Sequence, residues 1–174
     1  MNLRTQNLTL SAMFMALGVL IPMLFHSVGL GSIFLPMFWP VAVCAFFLPV
    51  SYAMAVGLLT PVLSTLLTGM PPISPPILYI MMAELTTLAG VIGFFYQQTR
   101  WGTFWLLLVG MAVSRIVLYL FAGVLGHILG LPPKLVSIVS VVKGIPGIII
   151  MLVLIPIVLK KIKHEVLFKS RKNI

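Results

Sequence analysis

Apolar residues run almost unbroken along this chain, and its polar positions gather into short interruptions: HSVGLGS at 26–32, the Pro49–Ser51 turn, GMPPISPP at 69–76, QQTRWG at 97–102 and HILGLPPK at 127–134. A helix needs about 20 mostly apolar residues to cross the hydrocarbon core of a bilayer. The interruptions leave candidate spans at residues 8–25, 34–49, 51–69, 77–96, 103–126 and 136–159. The pattern therefore predicts an all-α, polytopic membrane protein, a bundle of six transmembrane helices forming a single transmembrane domain over 1–174. No internal repeat is visible. Prolines recur in or beside the spans (Pro22, Pro36, Pro40, Pro49, Pro61, Pro146, Pro156). Each lacks a backbone donor, so kinked helices are expected, their freed carbonyls satisfied by neighbours.

Composition agrees with this reading. Hydrophobic residues make up 61% of the chain and charged residues 7%, against roughly 25% charged in soluble domains. A net charge of +9 raises nucleic acid as a partner, but Lys160, Lys161, Lys163, Lys169, Arg171 and Lys172 are all confined to the 160–174 tail. That clustering marks a basic tail kept on the cytoplasmic side rather than a DNA-reading face. Arg4 and Arg100 fall on the same side as the tail, and only Lys134 falls on the other. Both termini are thus expected to be cytoplasmic, with Trp101 and Trp105 anchoring the inner interface and the loops around Gly29, Pro72 and Pro132 outside. The first apolar run continues into more membrane sequence with no small-residue cleavage site, so it is expected to be a retained span rather than a leader. Cys44 is the single cysteine; it allows no internal disulfide, and packing is its expected role.

Three ionisable residues fall inside the predicted spans: Glu84, Arg115 and Lys143. Charges at membrane depth are costly and usually face a bundle interior or a wet cavity, so each is a candidate functional residue. Glu84 and Lys143 lie about seven residues from the outer ends of their spans, roughly 10 Å at 1.5 Å per residue. Arg115 lies nearer the middle, and all three are able to meet in the outer half of one bundle. The plainest alternative is a buried ion pair, Glu84 with Lys143 or Arg115, that sets helix register and binds nothing. Two cations for one anion would leave a surplus positive charge in a sealed core, which a polar or anionic ligand or water would relieve. Tyr79, Tyr119, Ser140, His26 and His127 join them as candidate substrate contacts, with Ser137, Ser140 and Lys143 sharing one helical face. The PPISPP loop is stiff enough to roof a cavity, and equally suited to be a plain connector. No set of histidines, cysteines and carboxylates at ligand spacing suggests a metal site. Neither a phosphate-binding GxxxxGK[ST] loop, an HExxH motif nor a serine-nucleophile elbow occurs, so binding is better supported than catalysis.

Near the start of the first span stands LSAMFMALG, with Ala12 and Ala16 four residues apart. Small residues at this spacing let a second helix approach closely, which matters where no hydrophobic force drives apolar helices together. Ala53/Gly57, Ala89/Gly93 and Ala122/Gly126 repeat the spacing, and such pairs commonly just pack a bundle.

In its size, its six expected spans, its AMFMA motif and the segments FLPMFWPV, LLTPVLSTLLTGMPP, MMAEL and KGIPGIIIMLVLIP, the chain resembles the substrate-binding S-components of energy-coupling factor (ECF) vitamin transporters. The resemblance implies a capture protein in the plasma membrane of a prokaryote, with no cofactor of its own. It implies that the ligand binds at an outward-facing site, that the protein docks through Ala12 and Ala16 on a transmembrane coupling protein, and that two cytoplasmic ATPases using ATP drive the cycle. Among ligands, a carboxylate at Glu84 suits hydroxymethylpyrimidine or pyridoxine, which are preferred on that ground, and a surplus positive charge puts pantothenate or niacin next. Two other classes are a small secondary transporter coupled to protons through Glu84, and a structural membrane subunit whose charges specify assembly.

Overall fold

The computed structural model describes residues 2–73, 77–129 and 144–172, without the side chains of residues 32, 122–129 and 163–172. The described elements are all helical: α1 (Leu3–Ser27), α2 (Gly31–Phe34), α3 (Phe38–Cys44), α4 (Val50–Thr68), α5 (Ile77–Gln98), α6 (Thr103–Leu129) and α7 (Ile145–Lys172). Among the described residues, 5 helices are long and apolar enough to cross a membrane: α1, α4, α5, and the stretches Thr103–Phe121 of α6 and Ile145–Ile162 of α7. The first four match the expected spans within about five residues; of the expected span 136–159, residues 136–143 lie outside the described residues, and α7 carries the basic tail onward as helix to Lys172.

The segment 34–49 differs from expectation, because it is not one continuous helix. Leu35 takes a left-handed conformation (φ 49) that ends α2, and Pro36 follows it. The seven residues of α3 rise only about 10 Å at 1.5 Å per residue, and Pro49 closes the segment in extended conformation before α4. Irregular backbone at this depth is tolerated where protein surrounds it, and here it is buried: Val41, Ala42 and Cys44 are fully enclosed, with Ala45 at 1% exposure. A carbonyl left over at the break finds its donor in the indole of Trp39, which donates to the Phe34 carbonyl at 3.0 Å.

Neighbouring side chains show the direction of travel. Phe25 of α1 packs against Phe34 and Trp39, ring centroids 5.5 and 5.8 Å away, while Phe14 stacks on Phe47 at 6.1 Å. The chain between 34 and 47 thus runs back along α1, and α4 then runs parallel to α1, with Gly18 packed against the Thr60 side chain. α4 and α5 are antiparallel, and so are α5 and α6: Gly57 meets the backbone of Leu85, Gly93 meets Val50, and Gly110 meets Ile92. α7 begins with Gly147 against the backbone of Phe34, and its stretch Pro156–Lys160 lies beside Thr103–Trp105 at the start of α6.

The core is built from α3 outward. Around Val41, Ala42 and Cys44 stand Ala53 and Val56 of α4, Leu85, Leu88, Ala89 and Ile92 of α5, Leu106, Leu107 and Met111 of α6, and Met151, Ile155 and Leu159 of α7, all buried. Gly57 explains how closely α4 and α5 approach, since a Cβ there would lie 2.5 Å from the Leu85 carbonyl oxygen. Where α4 gives way to Gly69, in left-handed conformation, the first residues of the loop are tied back by hydroxyls. Ser64 donates to the Met70 carbonyl and Thr65 to the Pro71 carbonyl, each at 2.7 Å. The described start of the proline loop is therefore fixed to the last turns of α4.

Candidate functional site

α5 and α6 bring Glu84 and Arg115 together. Nη1 of Arg115 lies 3.2 Å from Oε1 of Glu84, with side-chain exposures of 17% and 5%. The residues are placed by helical spacing: on α5, Glu84 shares its buried face with Leu88 and Ile92, and on α6 Arg115 lies four residues beyond the buried Met111. From α3, Phe38 presents its ring to the guanidinium, whose carbon lies over it 4.9 Å from the centroid. Phe38 was not foreseen from sequence, and the only signal at that position was its place in the proline-flanked run FLPMFWP.

The pair is close but incompletely bonded. Among the described residues, Oε1 of Glu84 has no aligned hydrogen-bond donor, and Nε and Nη2 of Arg115 have no acceptor, although all three atoms are buried. The contact is an ion pair by distance without the alignment of a hydrogen bond. Buried polar groups are almost always bonded, and leaving one unsatisfied costs about 1–3 kcal/mol, more when it is charged. Three such atoms within one pair are an unmet hydrogen-bonding demand in an otherwise apolar core. Thr86 Oγ1 is likewise buried and unbonded, although two residues along a helix carry it to another side of α5.

The remaining candidates divide. Tyr79 and Tyr119, 51% and 41% exposed, face outward and make no bond to the pair. His26 is exposed at the end of α1, its ring filling the space that a side chain at Gly31 would occupy. His127 lies on α6 with its side chain outside the description, and Lys143, Ser140 and Ser137 lie outside the described residues. Ala12 and Ala16 are exposed, on the side of α1 away from its buried face of Ser11, Phe14, Gly18 and Pro22. Ala53/Gly57 and Ala89/Gly93 are instead buried, Gly57 against the α5 backbone at Leu85 and Gly93 against Val50 and the Ala45 carbonyl. Cys44 is buried and free, and among the described residues no group of three or more potential ligands is placed to hold a metal ion. An open depression of about 560 Å³ between Thr103–Trp105 and Pro156–Lys160 lies at the start of α6, away from Arg115 in the middle of that helix.

A family model described as "ECF transporter, substrate-specific component" matches residues 6–159, nearly the whole chain. The chain belongs to this family. It is a multi-pass membrane protein and a transporter subunit, and its family is not one of enzymes. Membership brings with it a small-molecule substrate, a coupling protein and an ATPase module as partners. No curated protein and no solved structure matches this S-component.

Proposed function

We propose that this S-component captures a small water-soluble vitamin or vitamin precursor in the outer half of its bundle, at the Glu84–Arg115 pair. It then delivers the ligand by docking α1 on the coupling protein. The observation that carries the reading is the incompletely bonded buried pair. A register-setting ion pair would be expected to use its hydrogen-bonding groups fully, because unsatisfied ones weaken the core they sit in. Ligand groups would complete this one. Of the two ligand chemistries open from the sequence, hydroxymethylpyrimidine or pyridoxine would engage Glu84, and pantothenate or niacin would engage Arg115.

The membrane topology we infer has six crossings and cytoplasmic termini in the plasma membrane of a prokaryote. The second crossing is the broken α2–α3 segment, since α1 and α4 are parallel and the chain between them must return. Basic residues at Arg4, Arg100 and Lys160 onward then share one side, as the positive-inside rule requires. On that side Ala12 and Ala16 offer an open small-residue stripe, whereas the equivalent pairs of α4 and α5 are already used in packing. Two cytoplasmic ATPases power release, and the chain itself needs no cofactor. Tests of the docking role are direct. With Ala12→Leu and Ala16→Leu together, ligand binding by the purified protein stays unchanged while uptake by cells and co-purification with the coupling protein are lost. Loss of binding in that variant, or uptake at the normal rate, would refute the assignment. Uptake that follows an imposed proton gradient without ATPase partners would favour a proton-coupled transporter instead.

A further inference from the structure

Arg115 is gripped at one end only. A guanidinium presents an end edge, formed by its two Nη groups, and a side edge, formed by Nε and Nη2. Glu84 approaches Nη1, which belongs to the end edge alone. Both nitrogens of the side edge are buried and, among the described residues, without an acceptor, and the guanidinium carbon lies over the ring of Phe38. The side edge is a rigid fork of two parallel N–H bonds, and its natural complement is a planar pair of oxygens, as in a carboxylate.

We propose that the ligand of this S-component carries a carboxylate, gripped side-on by Nε and Nη2 of Arg115, while Glu84 occupies the far end of the same guanidinium. The inference rests on the capture reading above and narrows it. A second anion placed beside Glu84 would be repelled by it, whereas the side edge of Arg115 takes an anion with the guanidinium charge between the two. Oε1 of Glu84, which lacks a hydrogen-bond donor, then accepts from an N–H or O–H elsewhere on the ligand. A compact monocarboxylate bearing a donor meets both demands, which pantothenate does and an uncharged pyrimidine does not. The structure therefore reverses the order of ligands suggested by Glu84 alone.

The test uses the whole protein, purified in detergent without added ligand. Small molecules released on denaturation are identified by mass spectrometry. The protein is also titrated calorimetrically with pantothenate and pantothenol, nicotinate and nicotinamide, hydroxymethylpyrimidine and pyridoxine. The expected result is that the bound compound is an acid and its uncharged analogue binds about ten- to a hundredfold more weakly, the effect of removing charge-assisted bonds. Arg115→Lys keeps a cation beside Glu84 but removes the fork, and it lowers affinity for the acid by about tenfold or more while shrinking the acid's advantage over its analogue. Tight binding of hydroxymethylpyrimidine, pyridoxine or any released compound without a carboxylate overturns this inference and leaves the capture reading standing. An acid that binds wild type and Arg115→Lys equally also overturns it. A protein that releases nothing and binds none of the six compounds overturns the inference and counts against the capture reading as well.

Discussion

Two glycines on the α4–α5 interface offer a controlled test of how helix contact supports the ion pair. A Cβ added to Gly57 would lie 2.5 Å from the Leu85 carbonyl oxygen, 2.7 Å from its carbon and 2.9 Å from the Thr86 nitrogen, all of them backbone atoms. One added to Gly90 would lie 3.3 Å from Cγ and Sδ of Met54, a flexible side chain that is 39% exposed and free to swing away. Reaching an ordinary contact distance of 3.4 Å at Gly57 requires the helices to part by about 0.9 Å. Overpacking of this kind costs about 1–3 kcal/mol, set against a gain of about 0.5–1 kcal/mol for alanine over glycine within a helix. Gly90→Ala keeps the gain at little cost. The two variants should therefore differ by about 1–3 kcal/mol, or about 2–12 °C in melting midpoint for a chain of this size, with Gly57→Ala the less stable. The difference should reach the site as well, because Leu85 is the chain neighbour of Glu84 and a 3.2 Å ion pair has little room to absorb such a shift. Ligand affinity should fall in Gly57→Ala and hold in Gly90→Ala. Thermal melting in detergent together with calorimetric titration measures both effects, and equal melting midpoints for the two variants would refute the reasoning.

Glu84→Gln removes the anion while keeping the side-chain shape, so Arg115 becomes an uncompensated buried cation. Breaking such a pair from one side costs about 3–5 kcal/mol, and a melting midpoint within 1–2 °C of wild type would show that Arg115 finds another partner. Trp39→Phe keeps the ring contact with Phe25 but removes the 3.0 Å bond to the Phe34 carbonyl. The expected loss is about 1 kcal/mol, visible as faster hydrogen exchange through the α2–α3 break, and unchanged exchange would deny the indole that role. For topology, Cys44 should resist maleimide in the folded protein because it is buried. After Cys44→Ala, single cysteines at positions 4 and 172 should both react only with a reagent that enters the cytoplasm. Labelling of the two positions from opposite sides would exclude an even number of crossings.

Helix locations, class and family were legible in the one-dimensional sequence because they depend on local properties. Runs of apolar residues are long enough to span a bilayer whatever their neighbours, and Gly69, Pro71 and Pro72 end a helix by their own backbone preferences. The identities of the membrane-embedded charges Glu84 and Arg115 were equally plain, since a charge in an apolar run is conspicuous. Tertiary structure alone decided how these pieces meet. Residues 34–49 are as apolar as any span, yet hydropathy records burial and not backbone continuity, so the left-handed turn at Leu35 and the short α3 emerged only from the fold. Ala12/Ala16 and Ala53/Gly57 share one spacing, but the first pair is open and the second is sealed, because the rotation of each helix about its axis is set by its neighbours. The same rotation turns Tyr79 and Tyr119 outward and brings Phe38, from a distant stretch of chain, against Arg115. The choice of Arg115 as partner of Glu84, and the two buried nitrogens left without an acceptor among the described residues, depend on angles and distances between helices that no single helix contains.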